Sequence, residues 1–191
     1  MNTIARAALC TSALILGALG LGRSFAADDP SQPGFWQTPA LEGVGKMHPL
    51  PKAAYRPKKG EIYKVVFSLT RGASKPAEIN PGLDHVARAV NIYASAGVPL
   101  SHLKFVAILY GPATEAALDD EHYREKFGQA NPNLALIRTL RKAGVDIAVC
   151  GQAVAEHGYH YDWIAPEVTL ALSALTTITV LEHQGYALMP M

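Results

Sequence analysis

From residue 62 onward, apolar positions switch repeatedly between two periods. Ile62 to Leu69 is rich in β-formers and is bounded by Arg71-Gly72, which predicts a strand. Asn80-Pro81 then opens a helix, with Asn as cap and Pro at the first helical position. Leu83, Val86, Ala87, Val90 and Ala94 form its apolar stripe, Gly97 ends it and Pro99 prevents continuation. Leu103 to Tyr110 is almost wholly apolar, the pattern of a strand covered on both faces. Gly111-Pro112 breaks the chain. Thr114 is placed to cap a short helix over Ala116 to Leu118, and Asp119 or Asp120 to cap another that carries Tyr123 and Phe127 and stops at Gly128.

Asn131-Pro132 repeats the cap-plus-proline opening. Leu134, Leu136, Ile137, Leu140 and Ala143 follow, and Gly144 closes that helix. Val145 to Cys150 predicts the next strand, Gly151 to His157 one or two helical turns, and Val168 to Leu172 a fourth strand. Ser173 caps a segment that ends near Gly185, and Tyr186 to Met189 makes a short last strand. The run Thr176 to Val180 is β-branched and poor helix material, but the Ser173 cap, the Gly185 stop and the Ala174/Ile178/Leu181 spacing favour helix. Strands alternating with helices imply a mostly parallel sheet of about five strands with helices on both faces. In such sheets chemistry sits beyond the carboxyl ends of the strands. The rim candidates are Leu69-Thr70-Arg71, Tyr110-Gly111-Pro112 and Val149-Cys150-Gly151.

The first 60 residues follow neither period. Arg6, the apolar run Ala7 to Leu21 and the small residues of Ser24-Phe25-Ala26 have the form of a secretory signal peptide cleaved after Ala26. The expected location is therefore the periplasm, with no membrane attachment after cleavage. Residues 27–60 hold six prolines and four glycines and predict an extended arm. Phe35, Trp36, Leu41, Val44 and Tyr55 are spaced anchors for packing that arm on its own domain or on a neighbouring subunit; a plain linker is the alternative. Residues 61–191 form the α/β domain.

Composition narrows the functional classes. Net charge is +1, no basic run is longer than Lys58-Lys59, and removal of residues 1–26 takes Arg6 and Arg23 away, leaving −1. A nucleic-acid surface built on bulk charge is not expected. Two cysteines exclude a disulfide scaffold, and cleavage after Ala26 would leave only Cys150.

Cys150 closes its predicted strand just before a helix start, where backbone N–H groups favour an anionic sulfur. Gly151 removes bulk beside it, and Gln152 adds an amide able to hydrogen-bond a bound group. Such a cysteine can carry sulfur as a persulfide; equally, it can be a small buried hydrophobe. His157 is placed to tune the thiol or shuttle its proton, and Arg71 to attract an anionic sulfur species, although Arg71 also reads as the start of a solvated loop with Lys75. Cys150, His157, His160 and Asp162 together make a metal set conceivable, at a spacing that is no standard zinc signature. Thr70-Arg71-Gly72-Ala73-Ser74 lacks the repeated glycines of a dinucleotide site, so no FMN or NAD cofactor is expected.

Six stretches carry a family resemblance: Asn80 to Asp84, Tyr110 to Thr114, Phe127 to Leu134, Ala143 to Gln152, Ala171 to Ala174 and Gln184 to Leu188. Through them residues 62–191 resemble the DsrE/DsrF-like family, which also takes in TusD and the YchN-like proteins. The resemblance implies a flavodoxin-like three-layer α/β sandwich that assembles as a homotrimer or homohexamer. It also implies a persulfide-capable thiol, because Cys150 matches the working cysteine of the sulfur-transfer members. The expected function is sulfur or thiol handling through Cys150, supported by Gly151, Gln152, Gly111, Arg71 and His157, with a sulfur donor or acceptor protein as partner. This chain departs from the relay members in its export signal. A non-catalytic assembly module is the alternative, and a Cys/His metal binder a lesser one.

Overall fold

The computed structural model describes residues 29–191, so the expected signal peptide lies outside the described residues. The core elements are β1 (Tyr63–Leu69), α1 (Pro81–Ser95), β2 (Leu103–Leu109), α2 (Asp120–Phe127), α3 (Leu134–Lys142), β3 (Asp146–Cys150), α4 (Gly151–Glu156), β4 (Thr169–Ala171), α5 (Ala174–His183) and β5 (Ala187–Pro190). Three 3-10 turns, at Leu100–His102, Gly111–Ala117 and Tyr161–Trp163, complete the connections. The strands form one sheet in the order β4-β3-β2-β1-β5, and every pairing is parallel.

That order dictates the layers. Steps from β1 to β2, β3 and β4 all move the same way across the sheet, so right-handed crossovers put their helices on one face. The step from β4 to β5 returns across the sheet and puts α5 on the other. Burial follows this division. Val65, Phe67 and Leu69 of β1 and Phe105, Ala107 and Leu109 of β2 pack with residues of α1, α3 and α4 in the larger core. Val66, Ile108, Ala148 and Cys150 pack with Ala174, Ile178 and Leu181 of α5 in a much smaller one. The result is a three-layer sandwich with unequal outer layers.

Local chemistry explains the element ends. Asn80 Oδ1 accepts from the N–H groups of Gly82 and Leu83 and so caps α1. Two expectations need correction. The helix after Pro132 begins only at Leu134, because Asn131 is used elsewhere. Its amide donates to the carbonyls of Ala116 and Leu118, and its Oδ1 accepts from the N–H and side chain of Asn133. Thr114 caps no helix: it lies inside the Gly111–Ala117 turn, buried, with its hydroxyl unpartnered.

The segment before β1 lies on α1. Asn91 of α1 is fully buried and holds four backbone groups of the segment. Its Oδ1 accepts from Ala40 and Leu41 N–H at 2.9 Å each, and its Nδ2 donates to the carbonyls of Val44 and Gly45 at 2.9 and 3.0 Å. Leu41 and Met47 are buried as a consequence. Gly45 sits so close to α1 that a Cβ there would lie 2.3 Å from Ala87 C and Arg88 N, at a φ of +58°.

Candidate functional site

Adjacent strands whose onward connections leave on opposite faces open a crevice beyond their carboxyl ends. Here those strands are β3 and β4: α4 leaves toward the larger core, and the Leu172-Ser173 link to α5 leaves toward the smaller one. Cys150 is the last residue of β3 and pairs with Ala171, the last residue of β4. The sheet topology thus places the cysteine at its switch point.

Alternation along β3 decides where the sulfur goes. Ile147 and Val149 enter the larger core, while Ala148 and Cys150 enter the smaller one under α5. Cys150 is 5% exposed. Its Sγ accepts a hydrogen bond from Ala153 N–H at 3.4 Å, in the first turn of α4. The smaller core around it combines Ala148, Ala153, Ala171 and Ala174 with larger side chains such as Val66, Ile108, Ile178 and Leu181.

Gly151 is required by close approach. A Cβ there would lie 2.9 Å from the Ala171 carbonyl oxygen and 3.5 Å from that of Leu172. Gln152 ties the same link, its Nε2 donating to the Leu172 carbonyl at 3.2 Å. A cavity of about 230 Å³ opens at the crevice, lined by Gly151, Gln152, Tyr161, Leu170, Ala171 and Leu172.

His157 does not approach the sulfur by hydrogen bond. Its ring nitrogen Nε2 lies 3.0 Å from the Gly111 carbonyl, and its ring stacks on Tyr159. Gly111 has a φ of +54°, a left-handed conformation that favours glycine. His157 and Gly111 are therefore partners of one another, joining the turn after β2 to the end of α4. Arg71 stands apart: it is exposed and lines a cavity with Leu69, Thr70, Pro81 and His85, two strands from Cys150. Among the described residues, no three His, Cys, Asp or Glu side chains gather as a metal site, so Cys150, His157, His160 and Asp162 form no ligand set.

Sequence reasoning missed two groups, one on the cysteine's face and one on the other side of the sheet. Tyr110 continues the β2–β3 register by one residue, which places it opposite Cys150, and its ring packs against the smaller core. The Tyr110 hydroxyl meets Ser68 Oγ at 2.7 Å, and this satisfies an otherwise buried Ser68. The period-2 pattern carries the signal: Ser68 is the one polar residue in the buried part of β1. A second cluster joins Lys126 to Glu115 at 3.0 Å and to the Tyr159 hydroxyl. Burial alone would lower the Lys126 pKa; hydrogen bonds with Tyr159 and Glu115 outweigh it and raise the pKa.

The sequence profile of the DsrE/DsrF-like family matches residues 64–191, and the chain belongs to that family. A solved structure similar to this chain is a protein of unknown function, MTH1491 from Methanobacterium thermoautotrophicum. It is 16% identical, over 68% of this chain and 99% of that one, with a TM-score of 0.48. No curated protein sequence matches.

Proposed function

We propose that this protein is an exported, homo-oligomeric carrier of sulfane sulfur that works through a persulfide on Cys150. The observation that supports it best is the position of Cys150: it ends β3 at the switch point, and its Sγ accepts the Ala153 N–H. Family membership agrees with that reading. The chemistry is thiol exchange. The Cys150 thiolate attacks a sulfane sulfur of an inorganic polysulfide, an S–S bond of the polysulfide breaks, and a shorter polysulfide anion leaves. The outer sulfur of the persulfide is then attacked by an acceptor thiolate, which takes that sulfur and returns Cys150 as thiolate. No net oxidant is needed, because each step exchanges one S–S bond for another. Export rests on the Arg6 to Ala26 pattern, and the number of copies is expected to be three or six.

A second reading is an assembly module without chemistry. The burial of Cys150 in the smaller core and the thin cover on the α5 face favour it. Intact mass separates the two. Mature protein incubated with polysulfide should gain one sulfur, about 32 Da, reversibly by reductant, and Cys150→Ser should gain nothing. A thiol that stays unmodified, in a protein that still assembles, would replace the carrier by the assembly module.

A further inference from the structure

Residues 46–60 concentrate the basic charge of the chain. Lys46, Lys52, Arg56, Lys58 and Lys59 are all exposed, and no Asp or Glu occurs from Gly43 to Gly60. The flanking acids are Glu42 and Glu61, and Glu61 is paired with Lys58 at 3.2 Å. The half of α1 that meets the segment, Ala89 to Ala96, carries no charge. With this +5 set aside, the rest of residues 27–191 carries −6, so the charge is strongly polarised.

Apolar side chains stand among these cations. Leu50 is 60%, Ile92 42% and Tyr55 103% exposed. They line a groove of about 190 Å³ together with Met47, Ala54 and Arg56. Trp36, half exposed, is held nearby: its ring meets Phe35 edge-on, and Phe35 stacks on His48, which also lines the groove. Among the described residues, Tyr55 is the one non-glycine with a positive φ, +54°. A left-handed backbone is unfavourable for a bulky side chain, and here it holds the ring fully in solvent. Strain without a packing gain points to a use outside the folded chain. The loop is nevertheless fixed. The Leu50 carbonyl accepts from Ala53 N–H and from the Arg56 guanidinium, and Lys58 N–H donates to the Tyr63 hydroxyl at 2.6 Å.

We propose that this loop binds the surface of an anionic phospholipid bilayer, with Tyr55 and Leu50 entering the headgroup region and Lys52, Arg56, Lys58 and Lys59 meeting the lipid phosphates. The contact is peripheral and reversible, neither a span nor a covalent anchor, and it departs from the expectation of no membrane attachment. It is independent of the chemistry at Cys150.

Charge and side-chain chemistry together choose the occupant. Exposed apolar groups ringed by cations match a surface that is anionic outside and hydrocarbon within. Tyr and Trp suit that boundary because each has an apolar body and a polar edge. Lys and Arg keep their charge at the phosphates while their stems lie along apolar surface. A nucleic acid would use the cations and Tyr55 but leave Leu50 and Ile92 unmatched, since bases stack on aromatic rings. Each basic residue near an anionic surface adds about fivefold in affinity, so several together give a contact that salt weakens strongly.

Flotation of the mature protein with vesicles tests this. Phosphatidylcholine vesicles with about one third phosphatidylglycerol should carry the protein at low salt, pure phosphatidylcholine vesicles should not, and about 0.5 M salt should release it. The double variant Lys52→Glu, Arg56→Glu should bind at least about 25-fold more weakly. Tyr55→Gly should weaken binding while the melting temperature stays level or rises, because glycine accepts the left-handed backbone. No binding at low salt, equal binding to both kinds of vesicle, or binding unmoved by the double charge reversal would overturn the proposal. A melting temperature lowered by Tyr55→Gly would also overturn it, by assigning the ring to the fold. A single-stranded oligonucleotide that binds more tightly than the anionic vesicles would replace the membrane by a nucleic acid.

Discussion

Asn91→Ala should release the segment before β1 from the domain. Asn91 lies in α1 and is fully buried, and its side chain is bonded to Ala40 and Leu41 N–H and to the Val44 and Gly45 carbonyls. Truncation leaves all four backbone groups without that partner. The bonds to Leu41 and Gly45 are buried, and a buried group left unsatisfied costs about 1–3 kcal/mol. The bonds to Ala40 and Val44 are partly buried, so water can replace much of them at roughly 0.5–1 kcal/mol each. The sum is about 3–8 kcal/mol if the segment stays docked. Detachment sets a ceiling, because it exposes Leu41 and Met47 at about 1.5–3 kcal/mol each but lets every backbone group reach water. The two costs are similar, so the segment should come away. Hydrogen exchange reads this locally: Gln37 and Met47 N–H, which bond each other's carbonyls, should lose protection while β1 and β2 keep theirs. Asn91→Asp should behave alike, since a carboxylate keeps the two acceptor bonds but faces the Val44 and Gly45 carbonyls with no donor. Unchanged protection at Gln37, Leu41 and Met47 in both variants would refute the reasoning.

Two further substitutions bear on the site and its surroundings. Gly151→Ala forces a Cβ to within 2.9 Å of the Ala171 carbonyl oxygen, which is backbone and yields only if β4 moves; a loss of about 1–3 kcal/mol in chemical denaturation is expected, and a change below about 0.5 kcal/mol would show that the β3–β4 junction is looser than the packing implies. For His122, burial lowers the pKa, but the hydrogen bond and charge of Asp119, with Glu125 and Glu121 behind it, outweigh that and raise it above the ordinary 6.5. A raised histidine adds stability that is fully present below its unfolded pKa and is lost as pH rises through the folded one. The melting-temperature gap between the native protein and His122→Asn should therefore shrink from about pH 5 to pH 9, and a gap that widens with pH would contradict the assignment.

The pattern along the chain revealed the elements well where local chemistry and burial agree. The β-branched run Thr176 to Val180 is the instructive case. It is helical because Ser173 accepts from Leu175 N–H at its start and because helical spacing seats Ala174, Ile178 and Leu181 in the smaller core, while the Thr176 and Thr179 hydroxyls find partners in the Ser173 and Leu175 carbonyls. Cys150 at a strand end was equally legible. Strand order was not, since a period of two says nothing about which strand lies beside which. The switch point between β3 and β4, and the fact that Cys150 turns toward α5, follow only once that order is known. Asn131 and Asn91 were illegible for a related reason. Both serve partners tens of residues or one element away, while the local signal at Asn131-Pro132 reads as an ordinary helix opening.

The face chosen by Cys150 decides what covers the sulfur. A one-residue shift of β3 would send the sulfur into the larger core, beneath three helices, where opening would require much of the domain to unfold. In the observed register it lies instead beneath one short helix. That helix is anchored at its start to the cysteine's own turn: Ala171 and Leu172 pack against Gly151, and Gln152 bonds the Leu172 carbonyl just before the Ser173 cap. Motion at the start of α5 must therefore disturb the contacts that Gly151 and Gln152 make beside the thiol. The helix that covers the sulfur is thus tied at its start to the turn that carries the sulfur.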